Sequence, residues 1–301
     1  MPPRTSIQRR KPASPARLAR TTVRHPGASL QQRVLRQAKT LGASLVGVAP
    51  VGRWAEDGIV PEPYRPDRIW RQARSVITFA VPILLPIIDS TPSINYQEQY
   101  NTANRQLDDL GYRLSVWLND HGHAAFFLPR DGYGSLEVLL QKPFAAFSHV
   151  MSAKYAGLGT IGLSHNLVTP EYGPRVRFGS VFTAAALPGS ALLAADQCDG
   201  CRVCERLCPV GALKHRDDRV VGDMDKEACT RHHVTLRGEK HWPCGVCVKV
   251  CPIGKDRQLF ESYGTKGYLD ERDAIGANAD DPRYAGLVHL RRHGSSGTRL
   301  A

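Results

Sequence analysis

Cys198-Asp-Gly-Cys201-Arg-Val-Cys204-Glu-Arg-Leu-Cys208-Pro209 and Cys244-Gly-Val-Cys247-Val-Lys-Val-Cys251-Pro252, with Cys229 between them, hold all eight cysteines of the 301-residue chain. The first run is the C-x2-C-x2-C-x3-C-P pattern by which thiolates ligate an iron–sulfur cluster. The second repeats its spacings, with its first cysteine displaced to Cys229. In a two-cluster module the fourth cysteine of each half ligates the other half's cluster. The pattern therefore predicts Cys198, Cys201, Cys204 and Cys251 on one [4Fe–4S] cluster, and Cys208, Cys229, Cys244 and Cys247 on the other. Structural zinc uses paired C-x2-C knuckles, but it leaves the third cysteine of each run and the Cys-Pro ends unexplained. A disulfide framework confined to one interval would staple nothing else.

Working outward, the length suits about two domains. Hydrophobic content of 42% and charged content of 23% are ordinary for a globular protein. No apolar run reaches the roughly 18 residues of a membrane span, and the cluster pattern leaves no cysteine to pair, which suits a reducing, cytoplasmic compartment. Of the net charge of +12, seven positive charges fall in residues 1–28, which carry no acid, leaving +5 for the rest. That segment reads as a basic disordered tail, with an RNA-binding arm or an organellar presequence as the sharper alternatives.

Folded structure is expected from Ser29. Leu30, Val34, Leu35, Ala38 and Leu41 step at helical spacing. Short strands are expected at residues 44–50, 75–82 and 124–129. Tyr96, Tyr100, Ala103, Leu107, Leu110, Leu114 and Leu118 mark a long helix over 93–120, and an apolar helix is expected from Phe144 to Ala156. Arg175-Val-Arg-Phe-Gly-Ser-Val-Phe-Thr183 reads as the last strand of the first domain, and a helix-like stretch follows at 257–263. From Gly264 onward little periodicity is visible, so a partly ordered tail is expected over 264–301. The boundaries are thus 1–28, 29–190, 191–263 and 264–301.

Gly157-Leu-Gly159-Thr-Ile-Gly162 matches G-x-G-x-x-G, but a dinucleotide fingerprint needs a strand before it and a helix after it. Here a helix precedes it, so the Rossmann reading fails. Three glycines still permit a close backbone approach, to a cofactor edge or to a tight helix-to-strand turn.

Ala156-Gly-Leu-Gly-Thr-Ile-Gly162, Thr169-Pro-Glu-Tyr-Gly-Pro-Arg-Val-Arg-Phe178 and the Cys198–Pro252 module, in that order, resemble the epoxyqueuosine reductase and reductive dehalogenase superfamily. The resemblance implies an α/β (α+β) architecture: a nitroreductase-like domain followed by a two-[4Fe–4S] bacterial ferredoxin-like module. It implies a base-off cobalamin between them, fed by a low-potential donor such as ferredoxin or flavodoxin, and a reductive cleavage or elimination on a small molecule or a modified tRNA. Gly157, Gly159 and Gly162 would border the corrinoid, and Arg175 and Arg177 would meet its amides or substrate anions. Where epoxyqueuosine reductases carry a proton-donating Asp, this chain has Pro143, and no Asp or Glu occurs from Val138 to Pro170. His149 and Tyr155 are then the candidate donors, with Asp131 just upstream. Tyr155 resembles the donor of reductive dehalogenases. Many epoxyqueuosine reductases add a helical-repeat domain after the clusters, and about fifty residues without repeat periodicity follow Cys251. An FMN-dependent reductase and an electron-transfer protein without its own substrate are the competing expectations.

Overall fold

Ser75-Val-Ile-Thr-Phe-Ala-Val-Pro82 is buried along nearly its whole length, as a strand must be when covered on both faces. It is the second strand, β2, of a four-stranded antiparallel sheet in the order β1-β2-β6-β3. Its partners are β1 (Leu45–Pro50), β6 (Val176–Thr183) and, beyond β6, β3 (Ala125–Leu128). Register pairs Ile77 with Val181 and Phe79 with Gly179. A Cβ on Gly179 would stand 2.5 Å from the Phe79 ring, so the aromatic residue requires the glycine opposite it.

This computed structural model describes residues 28–260 and 265–293. The basic segment expected over 1–28 lies, but for Ala28, outside the described residues.

The helices follow in chain order. They are α1 (Leu30–Thr40), α2 (Arg53–Glu56), α3 (Pro66–Ile69), α4 (Leu85–Ile88), α5 (Ile94–Asp120), α6 (Leu136–Gln141) and α7 (His149–Tyr155) in the first half. The second half holds α8 (Val203–Arg206), α9 (Lys226–Gly238), α10 (Val246–Lys249), α11 (Thr265–Ala277) and α12 (Ala285–Arg292). Among the described residues no helix is long and apolar enough to cross a membrane.

The two-residue strand period sorts the core. Ile77, Phe79 and Val81 point to one face, where Val34 and Ala38 of α1 and Leu107, Leu110 and Leu114 of α5 cover them. Val76 points to the other, into a cluster with Trp54, Phe147, Met151 and Tyr155. Each large apolar side chain buried this way contributes about 1.5–3 kcal/mol. Ser29 closes a capping box with Gln32 on α1, and Ser93 accepts from the Tyr96 amide at the start of α5, so serine oxygens satisfy otherwise orphaned donors at both helix starts.

Two local expectations are corrected. The apolar helix begins at His149 rather than Phe144, because the Ser148 hydroxyl accepts from the Met151 amide and starts it there. Upstream, Ser135 caps the short helix α6 in the same way, and Phe147 packs as a buried loop residue against Trp54 and Phe182. The chain beyond 264, expected to be only partly ordered, folds over 265–293 into α11 and α12, which bury Tyr268, Glu271, Ile275, Val288 and Arg291. The helix-like stretch expected from Arg257 is a 3-10 helix over Lys255–Phe260.

Two small antiparallel pairs complete the chain. β4 (Thr160–Ile161) pairs with β5 (Leu167–Val168), and β7 (Leu213–Arg216) with β8 (Arg219–Met224).

Candidate metal centre and adjoining cleft

The two cysteine runs fold alike. Arg202 after Cys201 and Gly245 after Cys244 are both left-handed, at φ 61° and 69°, and each opens a one-turn helix, α8 or α10. Val203 and Val250, from the two halves, pack in one small core with Tyr268.

Thiols of the two predicted sets act on one another within and across the sets. Burial, then Cys247, Cys251, Cys201 and Cys198, pushes the Cys204 thiol up to about 12. Burial likewise raises Cys251 to about 11, and the thiols acting on it are Cys201 and Cys198. In the other set, burial and then Cys208 raise Cys229 to about 11, and burial and then Cys229 raise Cys247 to about 12, with Cys208 adding to it. Such thiols stay protonated at neutral pH until a metal claims them. All eight are free of disulfides. Among the described residues no three His, Cys, Asp or Glu side chains are set to hold a single metal ion. The x2, x2, x3 spacing with Cys-Pro ends favours iron–sulfur clusters over zinc. Two N–H groups point at ligand sulfurs: Asn166 Nδ2 lies 3.5 Å from Cys247 Sγ and the Ala212 amide 3.3 Å from Cys208 Sγ. Such contacts tune a cluster's potential.

The expected cofactor residues lie elsewhere in the architecture. A Cβ on Gly157 would meet the Ala191 carbonyl at 2.0 Å, one on Gly159 the Val168 carbonyl at 2.4 Å, and one on Gly162 Val168 at 2.9 Å and Cys198 at 3.3 Å. The glycine run is thus pressed against the chain itself, and its last glycine brings this turn against a cluster ligand. Arg175 is also corrected. It is fully buried and binds Asp256 through Nε at 2.7 Å and Nη2 at 2.8 Å, the Cys251 carbonyl at 2.8 Å and the Ile253 carbonyl at 2.5 Å. It clamps the second Cys-Pro segment to the first domain and has no donor to offer a ligand. Arg177 faces α5, where it meets Asn104 at 3.2 Å and the Tyr100 ring at 4.3 Å, and it pairs with Asp131 of the loop after β3 at 3.1 Å. Asp131 is therefore an ion-pair partner of Arg177.

His149 is held at both nitrogens, 2.9 Å from Ser180 Oγ and 3.0 Å from the Pro129 carbonyl. Burial pushes its pKa down to about 4. A neutral imidazole with both nitrogens engaged is a packing histidine rather than a proton donor. Tyr155 donates its phenol hydrogen to Asp57 Oδ1 at 2.6 Å, and Lys154 Nζ reaches Asp57 Oδ2 at 3.1 Å. Burial and the Asp57 hydrogen bond raise the Tyr155 pKa.

Lys154, not Tyr155, reaches open space. It lines a cleft of about 1210 Å³ whose walls are α7 and β4 on one side and the β8 edge of the cluster module on the other. Val60, Tyr64, Phe144, Met151 and Ile161 make it largely apolar, with Lys154, His165, Asp196, Arg219, Asp223 and Lys226 among its polar points. Pro143 also lines it, so the position where the resemblance places an acid is on this cleft. His165, left-handed at φ 61°, donates its Nε2–H to the Gly222 carbonyl at 2.8 Å, tying the glycine turn to β8. Pockets for drug-sized ligands run about 300–1,000 Å³; this one is large enough for a macrocyclic cofactor.

These features define a two-cluster iron–sulfur protein with a cofactor-sized cleft beside the clusters. The 4Fe-4S dicluster domain family matches residues 197–255. A tetrachloroethene reductive dehalogenase of Desulfitobacterium hafniense is 26% identical over 197 residues, covering 60% of this chain and 33% of that protein. An epoxyqueuosine reductase of Bacillus cereus is 30% identical over 111 residues, 33% of this chain and 28% of that one. Another, from Synechococcus sp., is 27% identical over 270 residues, 77% of each chain. A solved reductive dehalogenase shares the fold with a TM-score of 0.60 at 19% identity, over 89% of this chain and 40% of its own. The chain spans about a third of the length of the first of these curated relatives. The chain is similar to members of the epoxyqueuosine reductase and reductive dehalogenase superfamily.

Sequence reasoning passed over Asp57, Lys154, Asn166, His165 and Asp256. Lys154 beside Tyr155 was the one local signal, a cation ending an otherwise apolar helix. The others act across the fold on partners far away in the chain.

Proposed function

We propose that this chain is an iron–sulfur reductase that carries electrons through two [4Fe–4S] clusters to a corrinoid seated in the cleft between α7 and β8. The observation that carries the reading is the position of that cleft. Its wall residues His165 and Ile161 flank the Gly162 turn that touches Cys198, and Asn166, next in the chain to His165, meets Cys247. A reductant wire and a cofactor-sized space therefore share one turn. A corrinoid there would supply the low-potential chemistry that breaks a carbon–heteroatom bond. The similar reductive dehalogenase is described as acting by B12-dependent dehalogenation, which favours corrinoid over FMN. The first domain would then be nitroreductase-like.

On this reading Lys154 Nζ is the group that protonates the product side of the cleft, with Asp57 holding it and Tyr155 fixing Asp57 from behind. The electron donor is a low-potential ferredoxin or flavodoxin, in the reducing cytoplasm that eight thiol ligands require. The substrate is a small organic molecule or a modified tRNA base; an epoxyqueuosine reductase with a related fold is solved with an epoxyqueuosine-modified tRNA stem loop.

Anaerobic reconstitution with iron, sulfide and cobalamin tests the proposal. Binding is expected at one corrinoid per chain, with an absorbance spectrum reducible by a low-potential donor. Cluster-replete protein that does not take up cobalamin rules the corrinoid out, and an extracted flavin would assign the cleft to FMN instead.

A further inference from the structure

The C-terminal helices bring charge, not only apolar surface, against the cluster module. Glu271 of α11 accepts from Lys249 Nζ at 2.8 and 3.2 Å and from Arg291 Nη2 of α12 at 2.5 Å. All three are buried. Arg291 Nη2 also reaches the Asp89 backbone carbonyl at 3.1 Å. Its Nε is buried too and has no partner. Buried donors are almost always satisfied by protein, water or ligand, and with Nη2 committed to Glu271 and the Asp89 carbonyl, the Nε–H is left as a charged donor open to an oxyanion.

The space beside it is a cavity of about 290 Å³ bounded by the end of α8, α10, α11 and α12. Its walls include Arg206, Lys249, Arg272, Arg291, Glu271 and Cys208. Four cations thus face one carboxylate. That carboxylate is already shared by Lys249 and Arg291, and Arg206 and Arg272 are exposed, so cations outnumber carboxylates on the cavity wall. Arg272, exposed at the mouth, pairs outward with Asp273 at 2.7 Å. At about 30 Å³ per water, the cavity holds a tetrahedral oxyanion with its residual hydration but not a nucleotide.

We propose that this cavity is a binding site for a small free oxyanion of the phosphate or sulfate class, gripped by Arg291 and flanked by Lys249, Arg206 and Arg272. Cys208 forms part of its wall, so an anion here adds negative charge beside a ligand of the cluster shared with Cys229, Cys244 and Cys247. Reducing that cluster becomes harder when the site is filled. Anion occupancy would then set the step between the two clusters.

The test uses full-length, cluster-reconstituted protein in phosphate-free buffer at constant ionic strength. Inorganic phosphate is titrated by calorimetry, with sulfate and acetate as comparison arms, and cluster midpoints are followed by EPR-monitored redox titration. One saturable phosphate site per chain is expected, with sulfate competing and acetate weaker, and a shift of one cluster midpoint to more negative potential. Arg291→Gln leaves the Lys249–Glu271 pair in place and should weaken phosphate binding at least tenfold while abolishing the shift. Should that variant lose its clusters, Arg272→Gln at the exposed mouth carries the test and should weaken binding at least threefold. No saturable heat, a water-filled cavity indifferent to phosphate, or unchanged affinity in the variant that retains its clusters would each overturn the site.

Discussion

Replacing Arg175 with Met should unfasten the cluster module from the sheet domain. Arg175 has no exposed surface, and its pair with Asp256, whose side chain is 10% exposed, closes at 2.7 Å. Met fills similar volume but leaves that carboxylate buried without a counter-charge. Breaking one side of a buried ion pair costs about 3–5 kcal/mol. The Cys251 carbonyl keeps its bonds from Arg257 at 2.8 and 3.1 Å, so it adds little. The Ile253 carbonyl loses its 2.5 Å donor, which adds about 1 kcal/mol. The sum, near 4–6 kcal/mol, is a large share of a typical stability of 5–15 kcal/mol. With a urea slope of about 3 kcal/mol per molar, the unfolding midpoint should fall by more than about 1 M. Anaerobic urea titrations of cluster-loaded protein, read by both iron–sulfur absorbance and tryptophan fluorescence, measure it. The double replacement Arg175→Met with Asp256→Leu removes both charges, and such replacements are often close to neutral, so most of the loss should return. A single variant within about 0.3 M of the parent, or a double variant no better than the single, would refute the clamp.

Three further outcomes are expected. Cys208→Ser should alter the same cluster EPR signal as Cys229→Ser and leave the one altered by Cys204→Ser, because the fourth cysteine of each run serves the opposite set; a shared signal for Cys204 and Cys208 would reverse the assignment. Stability should fall with acid between about pH 6.5 and 4, since burial holds the folded His149 near 4 against an ordinary 6.5 and the unfolded chain therefore takes up the proton first. His149→Gln should flatten that limb in a series of thermal midpoints, though not entirely, because burial also holds His233 near 4. Lys154→Met should lower reductive turnover by about 10²–10⁴, the usual worth of a positioned proton donor, with cobalamin uptake unchanged; equal turnover would move the donor elsewhere.

What the sequence makes legible here is whatever has a period or a fixed spacing. β2 and α5 fall where β-branched and aromatic content and the Tyr96–Leu118 stripe put them. The glycine run announces a close approach without saying to what, because what approaches is Ala191, Val168 and Cys198, set by the path of the chain. Arg175 and Arg177 look equivalent on an alternating strand. Yet β6 starts only at Val176, so Arg175 turns away to Asp256, 81 residues on, while Arg177 stays on the α5 face.

The same limit explains the C-terminal helices. On α11 the buried positions are Tyr268, Glu271 and Ile275, a helical stripe whose middle member is a carboxylate. On α12 they are Val288 and Arg291. Hydrophobic periodicity counts Glu271 and Arg291 as solvent-facing and breaks the stripe at the residue that holds it in place. Burial of such charges is tolerable only when partners arrive from elsewhere, here Lys249 from between two cluster ligands. A face built from matched charge carries no signature in its own segment, because half of the match lies in another. The segment that looks like a loose tail is therefore the one joined to the clusters through a buried ion-pair network.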